Sequence, residues 1–368
     1  MPQDQTKSFA MVLERPGQFV PREFELPKLG ADDFLLRVEM VTICGGDLIE
    51  YRGENRKAQY PLLMGHELVG IVENIGHRAE DAHGVTTGDR VMLEPYIRCG
   101  RCAPCIRGDY HFCVEGLTYG VTIPCSREPH LWGGYSQYMY GSAGSRVHRI
   151  EPGIPAAAGA LTTVIGNGVR WVRTRAKVQV GEGVLVTGLG VQALSSIIVA
   201  KLAGAFPIVV ACRETDTARL DLAREYGADL VYNTGELTED QLLRRELSEH
   251  GLQVAIECTG ADAVYDIAID ALQPKGRLIA VGTRGGRPLS VDLDGIVFKE
   301  LKIIGGLGQS GDTELAASIV NSGDFAVQKM VSHVMPLHLA DEAIKLCLEG
   351  RDDVIHVGLD PWSSQPTS

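Results

Sequence analysis

The sequence predicts an α/β chain in two parts, a mostly antiparallel β region followed by a doubly wound parallel sheet. Two observations carry that expectation. Over residues 1 to about 150, short β-like runs are separated by Gly, Pro and Asp. From about 180 to 305, apolar strands alternate with amphipathic helical stretches, the pattern of a parallel sheet covered on both faces. A length of 368 residues accommodates two domains and a sizeable core.

In chain order, the first part offers strands at 9–13, 34–38 and 68–72. The second offers strands at 184–187, 208–211, 230–232, 254–257, 278–281 and 302–304, with helices at 217–226, 238–250 and 263–272. Thr238 followed by Gln241 fits a capping box and marks a helix start. The last 60 or so residues return to a mixed pattern and are expected to rejoin the first part. Residues 183–200 carry no formal charge over eighteen positions, about the length of a membrane-spanning helix. Gly188, Gly190, Gln192, Ser195 and Ser196 break that stretch, which therefore reads as strand, glycine turn and helix.

Charge narrows the partners. With 35 Lys and Arg against 47 Asp and Glu, the net charge of −12 repels phosphate backbones, so neither nucleic acid nor an anionic membrane is an expected partner. Residues 1–9 show no basic stretch followed by an apolar signal core, which predicts a cytoplasmic protein in which structural disulfides are rare. The nine cysteines then need another explanation.

Gly188-Leu189-Gly190-Val191-Gln192-Ala193 forms a G-x-G-x-x-A turn between a predicted strand and a predicted helix. Gly188 permits the tight turn and Gly190 lets backbone approach a pyrophosphate. Ala193 allows close helix–strand packing, and Val191 opens the helix whose free N–H groups receive the phosphates. Six alternating strands behind the turn make dinucleotide binding the expectation. The next strand ends in Ala211-Cys212-Arg213-Glu214. Cys212 followed by Arg213 suits the 2′-phosphate of NADP, whereas Glu214 suits the ribose hydroxyls of NAD, so the cofactor reads as NAD or NADP.

Cys99, Cys102, Cys105 and Cys113 have the spacing C-x2-C-x2-C-x7-C, which closes a tetrahedral zinc site with no open position and hence a structural role. An iron–sulfur cluster is the competing use of short cysteine spacings, but the adjoining dinucleotide fold requires no electron relay. Two further runs, Thr42-Ile43-Cys44-Gly45-Gly46-Asp47 and Gly65-His66-Glu67, place a thiol, an imidazole and carboxylates in glycine-bearing loops.

Together these features, in order along nearly the whole chain and ending with Lys302-Ile303-Ile304-Gly305-Gly306, resemble the zinc-containing medium-chain alcohol dehydrogenase family, including its polyol, sugar and threonine dehydrogenase branches. The resemblance implies a GroES-like catalytic domain over 1–164, completed by 305–368, and a Rossmann domain over 165–304, with the active site in the cleft they form. It implies Cys44 and His66 as ligands of a catalytic zinc, Glu67 beside that zinc and able to join its coordination, and Asp47 orienting His66. Such a zinc acidifies an alcohol oxygen so that the carbinol carbon can release hydride to nicotinamide. Relatives are homodimers or homotetramers, which implies a homo-oligomer here.

Two positions depart from the family pattern. Gly46 stands where a Thr or Ser normally relays the alcohol proton, and Thr163 stands where Cys, Asp or Glu normally supplies a third ligand. The expectation is that Glu67 becomes the third protein ligand and that Thr163 hydrogen-bonds zinc-bound water or substrate. Tyr51, Leu131 and Trp132 fall in segments that border the cleft in relatives and suit an apolar or cyclic secondary alcohol, oxidised to a ketone, with simple packing an equal alternative for each. The alternatives are a polyol, sugar or amino-alcohol dehydrogenase of the same family, and a dinucleotide-binding structural or regulatory protein without catalysis. Zinc-free quinone or enoyl reductases lack both the four-cysteine loop and the Gly-His-Glu run.

Overall fold

The computed structural model describes residues 6–213, 217–233, 247 and 249–363. The chain forms two compact units, one made of the residues up to Thr163 together with those from Ala316 onward, the other of Val164–Leu315.

In the first unit, strands Lys7–Arg15 and Gln18–Glu25 make an antiparallel hairpin, with Gly17 at φ 74° taking the left-handed turn. Strand Phe34–Thr42 is apolar along most of its length because it runs through the middle of a seven-stranded sheet. Its neighbours are Glu67–Ile75 on one side and Val357–Asp360 on the other, both antiparallel, and Tyr138–Gly141 also pairs with it. Arg90–Leu93 and Val147–Arg149 extend the sheet beyond Glu67–Ile75, and His333–Pro336 closes the far edge as the sheet's parallel pair with Val357–Asp360. The core beneath it includes Leu13, Phe34, Leu36, Leu62, Leu68 and Tyr135, all buried.

Register places the chemistry. Thr42 lies opposite Glu67 at one end of the pair, and Gly358 lies opposite Thr42 on the other side. Cys44 therefore leaves one strand where His66 and Glu67 enter the next. Gly65 makes that entry possible, since its φ is 94° and a Cβ there would stand 2.5 Å from Tyr135 Cδ1 and 2.9 Å from Val41 Cγ2.

The second unit is a six-stranded, fully parallel sheet in the order Leu230–Asn233, Ile208–Cys212, Gly183–Thr187, Leu252–Glu257, Leu272–Ala280, Lys302–Gly305. Strands Gly183–Thr187 and Ile208–Cys212 are buried at every residue, as expected where helices cover both faces. Among the helices are Val191–Leu202, Thr217–Glu225 and Asp262–Ala271. All six predicted strands are present. The fifth begins earlier than predicted, at Leu272, because buried Leu272 pairs with Leu252 before the chain loops out through Pro274 and Lys275, the latter at φ 66°. The predicted helix at 238–250, with its Thr238 cap, lies almost wholly outside the described residues. Among the described residues no helix is long and apolar enough to cross a membrane; 183–200 divides into the strand, turn and helix that its glycines predict.

Candidate metal centres and cofactor turn

Helix Gly45–Arg52 starts at Cys44, whose Sγ accepts from the Gly46 N–H at 3.5 Å while the Cys44 N–H donates to Asp47 Oδ2 at 3.0 Å. A thiol thus occupies the cap position that Ser or Asp usually fills, and the reciprocal bond from Asp47 holds it there. The Tyr135 hydroxyl donates to the same Oδ2 at 3.1 Å. Asp47 Oδ1 is left facing His66 Nδ1 at 3.6 Å, and neither atom has a closer partner.

Glu67 is anchored by Thr42 at the end of one strand and by His356 just before another. Its Oε2 accepts from Thr42 Oγ1 at 2.8 Å and lies 3.2 Å from His356 Nε2. One ligand atom from each of Cys44, His66 and Glu67 can be chosen so that all lie within 4.8 Å of one another. That is close to the span of two zinc–ligand bonds laid end to end, about 4–4.6 Å.

The electrostatics of this cluster call for a cation. Burial, then the Glu67 carboxylate, pushes Asp47 up to about 7. Burial, then Glu67 and Asp47, raises the Cys44 thiol well above its usual range. Burial also raises Glu50, one helical turn beyond Asp47, with Asp47 adding to the effect. For Glu67 burial again favours the neutral form, but the hydrogen bond and charge of His356, the charge of His66 and the bond from Thr42 outweigh it and hold the carboxyl below its usual value. A thiol and three carboxylates are crowded out of water here, and a divalent ion held on them would reverse that balance and favour the thiolate. Soft sulfur, imidazole nitrogen and carboxylate oxygen together fit zinc.

Thr163 is buried, 3 % exposed, and its Oγ1 has no hydrogen-bond partner. Tyr51, Leu131 and Trp132 belong to the core of the first unit. The Tyr51 hydroxyl donates to Asp341, and Trp132 Nε1 donates to the Arg127 carbonyl while its ring stacks on Tyr119. These three side chains are thus packed and hydrogen-bonded within the first unit.

The four sulfurs of Cys99, Cys102, Cys105 and Cys113 likewise lie within 4.8 Å of one another. Backbone amides point at them, from Cys99 to Cys113 Sγ and from Cys102 to Cys99 Sγ, each at 3.4 Å. The N–H groups of Val114 and Cys105 hold the Cys102 thiol down to about 6, while burial pushes its neighbour Cys105 up to about 12. The loop is tied to the sheet by the Tyr110 hydroxyl, which donates to buried Glu94 at 2.6 Å.

In the second unit, Gly188 takes φ 84°, and a Cβ on it would stand 3.0 Å from Thr259 Cγ2. Gly190 caps helix Val191–Leu202, is exposed, and has nothing within 4 Å of the place a Cβ would take. Val191 is half-buried at the helix start and Ala193 is fully buried beneath it. The turn thus offers an open backbone surface at a helix N-terminus, the setting in which a pyrophosphate binds. The Gly188 N–H donates to the Ala211 carbonyl at 2.8 Å, which brings the end of strand Ile208–Cys212, and exposed Arg213 after it, beside the turn. Glu214 lies outside the described residues.

Residues 30–152 match the model of the alcohol dehydrogenase GroES-like domain and residues 193–322 that of zinc-binding dehydrogenases. A protein of Mycobacterium tuberculosis described as a probable alcohol dehydrogenase is 36% identical over 96% of this chain and 98% of its own length. The chain belongs to the zinc-type medium-chain dehydrogenase/reductase family. The L-threonine 3-dehydrogenase of Pyrococcus furiosus is 31% identical over 84% of this chain and 86% of its own. A protein of Sinorhizobium meliloti solved with NADP bound superposes with a TM-score of 0.85 at 24% identity, covering 97% of this chain and all of that one, a likeness of fold. The family resemblance, the GroES-like and Rossmann fold class and the oxidoreductase class expected from the motifs all stand on these matches.

Three residues around this dehydrogenase's donor cluster lie outside the motif runs, Glu50, Tyr135 and His356, while Thr42 opens one of those runs without a role read for it. Glu50 could have been found from its spacing, since Asp47, Glu50 and Tyr51 are the buried positions of one short helix. His356 is 289 residues from Glu67 and has no local signal. Because Asp47 is the carboxylate that faces His66, Asp47→Asn is expected to weaken metal binding about 10–100-fold, the usual consequence of losing a ligand's orienting partner. Competition against a chromophoric chelator measures it.

Proposed function

We propose that this chain oxidises a secondary alcohol to a ketone, or runs the reverse reaction, exchanging hydride with NAD or NADP. It carries two zinc ions per chain, a catalytic one on Cys44, His66 and Glu67 and a structural one on Cys99, Cys102, Cys105 and Cys113. The observation that carries the reading is the gathering of Cys44, His66 and Glu67 into one cluster beside Asp47. Three protein ligands leave a four-coordinate zinc one position for substrate. When bound there, zinc supplies Lewis acidity that lowers the pKa of an alcohol oxygen.

The protein's own groups have separate tasks. Asp47 fixes the His66 ring and Cys44 backbone, Thr42 and His356 hold the Glu67 carboxylate, and the Gly188–Gly190 turn receives the cofactor pyrophosphate. Thr163, with an unpartnered buried hydroxyl, is proposed to hydrogen-bond substrate or a water. An amino alcohol is the second reading, because one relative is named for oxidation at C3 of threonine, itself a secondary alcohol. A panel of secondary alcohols, polyols, amino alcohols and ketones with both cofactors, followed by absorbance of the reduced nicotinamide, tests the proposal. Silence across the panel in zinc-loaded protein overturns it.

Cofactor choice has its own test. If Arg213 binds a 2′-phosphate, Arg213→Ala is expected to raise KM for NADP about 10–100-fold, the worth of one charge-assisted hydrogen bond, while KM for NAD barely moves. Equal effects on both cofactors assign Arg213 no part in the choice. We also propose a homo-oligomer joined through the edge strand Lys302–Gly305, on which Ile303 is 45% exposed. A monomeric mass by light scattering contradicts it.

A further inference from the structure

Glu50 belongs to none of the sequence motifs, yet it is the least satisfied carboxylate near the metal donors. It lies on helix Gly45–Arg52 and is 3% exposed. Its Oε1 accepts from Asn55 Nδ2 at 2.7 Å, whereas Oε2 is buried with no hydrogen-bond partner. A buried carboxylate oxygen without a partner is costly, and such an atom calls for a functional explanation.

Gly46 shows what Oε2 faces. A Cβ built on Gly46 would stand 3.8 Å from Glu50 Oε2, 3.8 Å from Cys44 Sγ and 3.9 Å from His66 Cε1. The missing side chain leaves a small space walled by the orphaned oxygen and by two metal donors. Burial, then the Asp47 charge, raises the Glu50 carboxyl from its ordinary value. Thr163 Oγ1 is orphaned too, but no observed contact brings it to this space.

We propose that Glu50 accepts the hydroxyl proton of the alcohol across the space left by Gly46, doing the work for which the resemblance expects a hydroxyl at position 46. The inference rests on the dehydrogenase reading above. In the oxidising direction the substrate O–H bond breaks and its proton passes to Glu50 Oε2, directly or through one water. The carbinol C–H bond breaks with its electron pair, the hydride reduces the oxidised nicotinamide, and the C=O bond forms. Glu50 then releases the proton to solvent water.

The test starts from an alcohol that the unaltered protein oxidises. Glu50→Gln is expected to keep the full zinc content and to lower kcat about 10²-fold, with KM changed less than about threefold. Adding Gly46→Ser to Glu50→Gln is expected to restore kcat about tenfold or more, since a side chain fits at 46 with no atom nearer than 3.8 Å. Independently of turnover, the infrared difference spectrum on adding a fluorinated, oxidation-resistant alcohol with oxidised cofactor is expected to show a protonated-carboxyl band that Glu50→Gln lacks. A Glu50→Gln kcat within about threefold of the unaltered value, loss of zinc accompanying the loss of activity, failure of Gly46→Ser to rescue, or absence of the band overturns the inference. An unaltered protein inert toward every alcohol fails the dehydrogenase reading and this inference together. An active unaltered protein with an unimpaired Glu50→Gln variant fails the inference alone.

Discussion

Cys44→Ala is expected to remove the catalytic zinc, leaving about one zinc ion per chain, and to lower kcat/KM for the preferred alcohol by ~10³-fold or more, the factor that several kcal/mol of Lewis-acid stabilisation represents. Metal analysis and steady-state kinetics on the same preparation measure both. The size of the effect follows from the several tasks of this one thiol. It is the soft donor of the cluster, and its Sγ also caps helix Gly45–Arg52, the helix that carries Asp47 and Glu50. Loss of the cap alone removes about 1 kcal/mol of stability. Cys44→Ser separates the two contributions, because a hydroxyl keeps the cap and is a poor zinc ligand. Serine is therefore expected to restore the unfolding temperature lost in the alanine variant without restoring activity. Retention of full zinc and activity by either variant refutes the assignment of Cys44 as a ligand.

The second large effect falls on stability. Cys99→Ser/Cys102→Ser removes two of four sulfurs from a loop whose folded form has backbone amides aimed at them. Structural zinc is bound with about 10–16 kcal/mol of apparent free energy in isolated finger peptides, and that energy is spent on folding the loop. In this chain Tyr110 still anchors the loop to Glu94, so only part of it is lost. A loss of about 3–5 kcal/mol, at ~2–4 °C per kcal/mol for a unit of this size, lowers the unfolding midpoint by on the order of 10 °C. The variant is expected to keep about one zinc per chain and measurable turnover at low temperature. A preparation without any zinc shows instead that Cys44, His66 and Glu67 do not hold the metal assigned to them.

What could be read in advance depended on how far apart the cooperating residues lie. The six parallel strands were legible because strands covered on both faces are continuous apolar runs, such as Val184 to Val186, and need no partner to be recognised. The four-cysteine loop and the glycine turn are local, so spacing alone announces them. The environment of the cluster is not local. Glu67 takes its partners from Thr42, 25 residues before it, and from His356, 289 residues after it. Tyr135 reaches Asp47 across 88 residues. Those contacts follow from sheet register, which a hydrophobic pattern specifies only once the strand order is known. Tyr51, Leu131 and Trp132 are a different case, since a large apolar residue in the sequence suits a pocket wall and plain packing equally, and all three belong to the core of the first unit.

The two metal centres also differ in when they can exist. Cys99 to Cys113 is a single short loop, and its closure needs little chain. During synthesis it can take zinc once that segment and its flanks have emerged. The Cys44, His66 and Glu67 cluster is held by Thr42 in one strand and by His356 beside the last one, with Gly358 paired to Thr42. Its final geometry must wait until nearly the whole chain has been made, so under the proposed assignment a polypeptide interrupted before His356 has the residues of the four-cysteine site and lacks a finished second one.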